Sequence, residues 1–99
     1  MSSFDKWQTE DRRLVILIIL AKSEGYCCNE ILMEQLLEQR GHVVSSDRLR
    51  TDLGWLQEQG LIKVKDIEDM QIATVNRRGI EVSQGRVEVA GVKRPLPGA

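Results

Sequence analysis

The sequence predicts a small α+β domain that is mainly helical, with a three-helix core followed by a β-hairpin. Three observations support this fold class. One long apolar run and two segments with apolar residues at the helical period of 3.6 fill the first 60 residues, and a glycine follows each of them. After Gly60 the apolar residues alternate with polar ones, as they do in strands. Because the chain has 99 residues, we expect one hydrophobic core in one domain.

Helix one is predicted from about residue 10 to residue 23, with Thr9 as its N-cap and Gly25 beyond its end. The eight residues of Leu14–Ala21 are apolar without interruption, so this helix is apolar on every side. A three-helix core covers only one side well. We therefore expect either a second subunit or the C-terminal tail to cover the other side.

Helix two is predicted over roughly residues 30–40, between an N-cap at Asn29 and a stop at Gly41. Its expected core face consists of Leu32, Met33, Leu36 and Leu37. Its opposite face carries Glu30, Glu34, Gln35 and Glu38. This segment is therefore expected to be an amphipathic helix.

Helix three is predicted over roughly residues 47–59, where Ser45 or Ser46 caps the start and Gly60 closes the end. At 100° per residue, one narrow stripe of the helix is apolar and is expected to face the core. This stripe consists of Leu49, Leu53 and Leu56.

Two strand-like segments follow, Leu61–Lys65 and Gln71–Val75. The charged segment 66–70 between them is expected to form the turn of a β-hairpin. Asn76 is then expected to cap a short helix over residues 77–84.

The last part of the chain is predicted to be a short strand and an extended arm. Arg86–Val89 alternates as a strand does, and Gly91–Ala99 contains two prolines that exclude regular pairing. We therefore divide the chain into an N-terminal extension (1–8), a folded domain (9–85) and a C-terminal strand and arm (86–99).

The order of three helices and a hairpin, with a tight link before the third helix, is that of a winged helix-turn-helix. The segment Ser46–Ile62 carries a leucine pair, a glycine and then Leu-Ile, and it resembles the recognition helix and first wing strand of bacterial MarR, PadR and ArsR-type regulators. Thr74–Val82 resembles the segment that follows the wing in these families. The resemblance covers residues 30–84. More loosely, the compact length resembles small winged-helix proteins of Mu-like bacteriophages.

This resemblance implies that helix 47–59 docks in the major groove of double-stranded DNA, where arginine bonds guanine and hydroxyl groups reach phosphate. The predicted DNA-binding residues are Ser45, Ser46, Arg48, Arg50, Thr51, Lys63, Lys65, Arg77 and Arg78. The alternative is an ordinary solvated face, on which Asp47 and Asp52 neutralise the arginines.

The turn of the hairpin opposes the DNA prediction, because Asp66, Glu68 and Asp69 would meet phosphate with like charge. The net charge of the chain, −1, is also low for a duplex-binding protein. Two functions therefore stay open: a dimeric DNA-binding transcriptional regulator, and a protein–protein adaptor that uses the same fold without DNA.

Helix one carries the prediction of a homodimer, because large aliphatic side chains are rarely left in water as a patch. The expected interface residues are Val15, Ile16, Ile19 and Leu20. Regulators of the type that the chain resembles also commonly dimerise through terminal helices. The alternative is a closed monomer in which the arm 86–99 folds back over helix one.

Several functions are not expected. No catalytic triad, nucleotide-binding glycine loop or nucleophile–base pair is found, so we expect neither an enzyme nor a cofactor. One histidine and two adjacent cysteines do not have the spacing of a metal site. The longest apolar run is shorter than the roughly 20 residues of a membrane span, and the N-terminus is unlike a signal peptide. We expect a cytoplasmic protein, and the sequence identifies no small-molecule effector.

Overall fold

The computed structural model describes residues 3–97 and contains four helices and one three-stranded sheet. The elements in chain order are α1 (Ser3–Lys22), β1 (Cys27–Asn29), α2 (Glu30–Gln39), α3 (Ser46–Glu58), β2 (Ile62–Ile67), β3 (Met70–Val75) and α4 (Arg77–Ser83). A single 3₁₀ turn, Glu24–Tyr26, joins α1 to β1. The strands are antiparallel in the order β1-β3-β2. The predicted α+β class is confirmed.

Three helices begin at polar caps that satisfy a free amide of the first turn. The Asn29 side chain accepts from the backbone N–H of Leu32 (2.8 Å), and the Ser45 hydroxyl accepts from that of Arg48 (3.1 Å). Asn76 caps α4 in the same way. Of the two serines considered for α3, Ser45 is therefore the cap, and Ser46 is the first helical residue.

Helix α1 is longer than predicted, because it begins at Ser3 and not after Thr9. Thr9 therefore lies inside the helix, and its prediction as an N-cap is wrong. Residues 3–8 contain no proline or glycine, so adding two turns to an existing helix costs little. The first two residues of the predicted extension lie outside the described part of the chain.

The core forms around α1 and receives α2, α3, α4 and one face of the sheet. The predicted stripe of α3, Leu49, Leu53 and Leu56, is fully buried, which confirms it. On α2, Met33 and Leu37 are buried, but the prediction of Leu32 as a core residue is wrong, since its side chain is 44% exposed. This ten-residue helix buries one narrow face, which carries Met33 and Leu37. Leu32 lies beside that face, so its side chain is left in solvent.

The C-terminal arm folds back over α1 instead of forming the strand predicted at residues 86–89. Val89 and Val92 join the core, and the backbone N–H of Lys93 donates to the carbonyl of Glu10 (3.2 Å). At the open edge of β2, the side chain of Gln57 in α3 already accepts from the N–H of Val64 (2.7 Å). The alternating pattern of the arm therefore buries valines in the core without pairing to the sheet.

This arm changes the status of the predicted dimer interface. Val15, Ile16, Ile19 and Leu20 are all buried within the single chain, each 8% exposed or less. The prediction assumed that three helices leave one side of α1 open, but α4 and the arm close that side. These four side chains thus have almost no surface left for a second subunit, and the alternative of a folded-back arm agrees with the structure.

Candidate nucleic-acid interface

The start of α3 presents a polar surface to solvent. Ser46, Asp47, Arg48 and Thr51 are exposed there. Because the first amides of a helix lack intrahelical partners and the helix dipole is positive at this end, this surface is suited to an anion such as phosphate. Arg48 also lines a cleft of about 410 Å³, together with Ser45 from the link and with Asp5, Thr9 and Arg12 from α1.

Arg50 makes a different set of contacts from those predicted for a base-reading residue. Its guanidinium bonds the carboxylate of Glu30 in α2 through two hydrogen bonds, Nε to Oε2 (2.7 Å) and Nη2 to Oε1 (2.6 Å). Its Nη2 also donates to the backbone carbonyl of Asp69 (2.7 Å). These contacts direct Arg50 toward α2 and the hairpin turn, which argues against its predicted contact with a base.

The hydroxyl of Thr51 is also used within the protein. It donates to the carbonyl of Asp47 one turn earlier (3.0 Å), as threonines inside helices often do. Among the predicted residues of α3, Ser46 and Arg48 are exposed in the first turn, whereas Thr51 lies one turn further along with its hydroxyl bound to Asp47.

The wing consists of β2, β3 and the two-residue turn Glu68–Asp69. On β2, Val64 packs against the core, whereas Lys63 lies on the outer face beside exposed Thr74. Because side chains alternate along a strand, Lys65 shares the outer face with Lys63, and Asp66 lies on the other face. The lysines and Asp66 thus point to opposite sides of the wing.

Arg77 and Arg78 lie far from the start of α3. Arg78 donates from Nη1 to the carbonyl of Gln59 (2.6 Å), which places it at the C-terminal end of α3, where a cation is favoured by the helix dipole. Gln59 is eleven residues after Arg48, or roughly 16 Å along the helix axis. The structure therefore does not bring these two arginines together with Arg48.

The structure also reveals an ion pair that sequence reasoning missed. In the alternative of a solvated face, Asp52 of α3 neutralises the arginines of that face. In the structure it is buried and accepts from Arg12 of α1, through Nε to Oδ2 and through Nη2 to Oδ1 (3.3 Å). Asp52 lies between Leu49 and Leu53 in the buried stripe, and this spacing was the available signal. The pair connects α3 directly to α1.

Residues 3–97 contain neither a metal-binding cluster nor a membrane-spanning helix. None of the His, Cys, Asp and Glu side chains in this range form a group of three or more that could hold a metal ion. In the same part of the chain, no helix has an apolar stretch of the length that a bilayer crossing requires.

No family model matches the chain. The chain is 44% identical over 91 residues to the uncharacterized protein gp26 of Escherichia phage Mu, and the match spans 92% of this chain and 94% of gp26. It is 35% identical over 96 residues to an uncharacterized protein of Haemophilus influenzae, with 96% and 93% of the two chains covered.

Among solved structures, the chain is similar to AbsC, a MarR family transcriptional regulator from Streptomyces coelicolor, with a TM-score of 0.61 and 19% identity. The match covers 73% of this chain, which spans about half (47%) of AbsC. This likeness confirms the winged helix-turn-helix fold. At the level of sequence, the chain belongs to the same protein family as gp26 of phage Mu.

Proposed function

We propose that this chain is a DNA-binding protein, a transcriptional regulator, that inserts the start of α3 into the major groove. The observation that carries the proposal is the exposed start of α3, where Arg48 and Ser46 extend from a helix end that favours anions. The similarity of the fold to a MarR family transcriptional regulator supports it.

In this proposal the contacts divide into two kinds. Arg48 bonds a base edge in the major groove, and it is the arginine best placed to determine sequence preference. Ser46, the free amides of α3, Lys63 and Lys65 bind phosphates, which sets affinity and its salt dependence but not sequence preference.

We also propose that the protein acts as a homodimer, through a surface other than the one predicted from the sequence. Phe4 and Trp7 lie one turn apart at the start of α1 and are 65% and 73% exposed. Aromatic side chains contribute large areas to protein interfaces, so a second copy of this helix end is a fitting partner. Two copies related by a two-fold axis would present two α3 helices to two half-sites of DNA.

The proposal is tested by titrating the full chain with pooled duplex DNA, selecting the bound sequences and repeating the titration on them. Arg48→Ala should weaken binding to the selected duplex by about 1–3 kcal/mol and reduce the preference over random duplex. Arg94→Ala is the matched control, because Arg94 is an exposed arginine of the arm, and its effect should be less than about 0.5 kcal/mol.

A wild-type chain that binds no duplex at micromolar concentration and low salt would contradict the proposal. The adaptor function would then be favoured. The observation in its support is the exposed acidic turn, Glu68 and Asp69, at the end of the wing.

A further inference from the structure

A cluster of polar contacts joins α2, α3 and the tip of the wing. We call it the Glu30 clamp, and it consists of Glu30, Arg50, the carbonyl of Asp69 and the N–H of Gln71. Glu30 accepts both hydrogen bonds from Arg50 and a third from the backbone N–H of Gln71 (3.1 Å). Arg50 in turn donates to Asp69 (2.7 Å). Two neighbouring helices and the hairpin therefore meet at the Glu30–Arg50 pair.

The clamp begins where β1 ends. The register of β1 with β3 stops at Asn29 opposite Ile72, and Glu30 is the next residue of the chain. Its side-chain oxygen takes the place of the next backbone acceptor, because it receives the N–H of Gln71. The tip of the wing, residues 66–71, is paired only between β2 and β3 beyond this point.

A two-stranded hairpin tip of this kind has little stability of its own. Its turn adds to the difficulty, because Glu68 and Asp69 both have positive φ angles (50° and 65°), which residues with side chains adopt at a cost. The position of the tip relative to α3 therefore depends on the contacts of the clamp.

The ion pair of the clamp is expected to be stable at neutral pH. Glu30 is only 7% exposed, and a carboxylate in such a place is stable only when it is paired. The Arg50 guanidinium lowers the pKa of Glu30 below its ordinary value, more than burial raises it, and Glu30 raises the pKa of Arg50. Both groups are therefore charged at neutral pH, in a two-bond geometry that lysine cannot reproduce.

We propose that Glu30 and Arg50 are positioning residues that hold the tip of the wing, residues 66–71, beside α3, so that Lys65, which directly precedes the tip, and Arg48 meet the same duplex. This proposal rests on the proposed function. It assigns a role in DNA affinity to Glu30, an acidic side chain that would not touch DNA, and it removes Arg50 from the residues that contact bases.

The first experiment needs no DNA. Amide hydrogen exchange is measured by NMR on the full chain and on Glu30→Gln, Arg50→Gln and Arg50→Lys. Exchange of the Gln71 amide should become at least about tenfold faster in all three variants, and by a larger factor than exchange in the core of α1, at Leu17 and Leu20, which reports the global stability of the chain. Unchanged exchange at Gln71 would overturn the proposal.

The second experiment titrates the same variants with the selected duplex. Glu30→Gln and Arg50→Gln should each weaken DNA binding by a similar factor, about tenfold. The double variant should lose no more affinity than either single variant, because both substitutions break the same ion pair. Arg48→Ala should add to that loss.

If Arg50 contacts a base, Arg50→Gln alone weakens binding and Glu30→Gln does not, which would overturn the proposal. A wild-type chain without DNA affinity would refute the proposed function, while the exchange data still decide whether the clamp positions the wing.

Discussion

At the scale of residues, two carboxylates that are removed from solvent form ion pairs between α3 and its neighbours. Asp52 is paired with Arg12 of α1, and Glu30 is paired with Arg50. Breaking a buried pair leaves an uncompensated charge, which is why such residues rarely tolerate replacement. These pairs hold α3 against α1 and α2. Arg12 and Asp52 are both buried, so neither is available to DNA.

The Glu30 clamp makes stability depend on pH in a direction that can be tested. The pKa of Glu30 is lowered from 4.5 in the folded state, so its contribution is complete above pH 4.5 and is lost as the pH falls through the lower, folded value. Glu30→Gln should therefore be less stable than wild type at pH 7, and this difference should shrink below pH 4.5. Urea unfolding at a series of pH values measures it. A difference that is constant down to the acid transition would contradict the assignment.

At the scale of elements, the C-terminal arm is held by close contacts with α1 and α3. Arg13 stacks on the ring of Trp55 (3.8 Å from its centroid) and donates to the carbonyl of Gly91 (3.0 Å). Gly91 has a φ of +96°, and a β-carbon there would lie 2.6 Å from the Trp55 ring. Only glycine at position 91 lets the arm pass this close to the Trp55 ring. The packing of the arm on α3 therefore depends on Gly91.

This fit predicts a difference between two glycines of similar backbone conformation. Gly91→Ala should destabilise the protein by about 2–4 kcal/mol, since the new methyl group both strains the backbone and collides with Trp55. Gly41→Ala is the matched control, because Gly41 has a φ of +90° with nothing within 4 Å of an added β-carbon. Its cost should be limited to about 1 kcal/mol of backbone strain. Equal losses in urea unfolding would show that Trp55 does not constrain the arm.

At the scale of the whole molecule, the core is closed within one chain, so the surface that we propose for a dimer is the start of α1. The aliphatic residues of this helix are buried within one chain, whereas Phe4 and Trp7 remain in solvent. A monomer gains nothing from these exposed aromatic groups, and a second copy would bury them.

We therefore expect the full chain to be a dimer in light scattering at tens of micromolar. The double variant Phe4→Ser and Trp7→Ser should be monomeric and should keep the circular dichroism spectrum of the folded chain, because both residues lie outside the core. Tyr26→Ser, which removes an aromatic side chain exposed elsewhere, serves as the control and should remain dimeric. A monomeric wild-type chain at this concentration would exclude the homodimer.

Much of the fold follows from local patterns in the sequence. The caps Asn29 and Asn76, the glycines after the helices, the stripe of α3 and the change of period after Gly60 each depend on residues close in the chain. Helix starts without a clear cap and the arm were predicted less well. Neither the start of α1 at Ser3 nor the path of residues 86–97 is marked by a local signal.

The sequence by itself determined the class of fold, the order of its elements and the helix that presents the candidate interface, because periodicity and capping act over a few residues. Only the tertiary structure decided which side chains that helix can use. Arg48 and Arg50 are the same residue type and lie two positions apart in the sequence. Arg48 is nevertheless exposed, whereas Arg50 is bound to Glu30, twenty residues earlier. Such pairings, like the cover of α1 by a distant arm, arise from the packing of elements and leave no trace in local spacing.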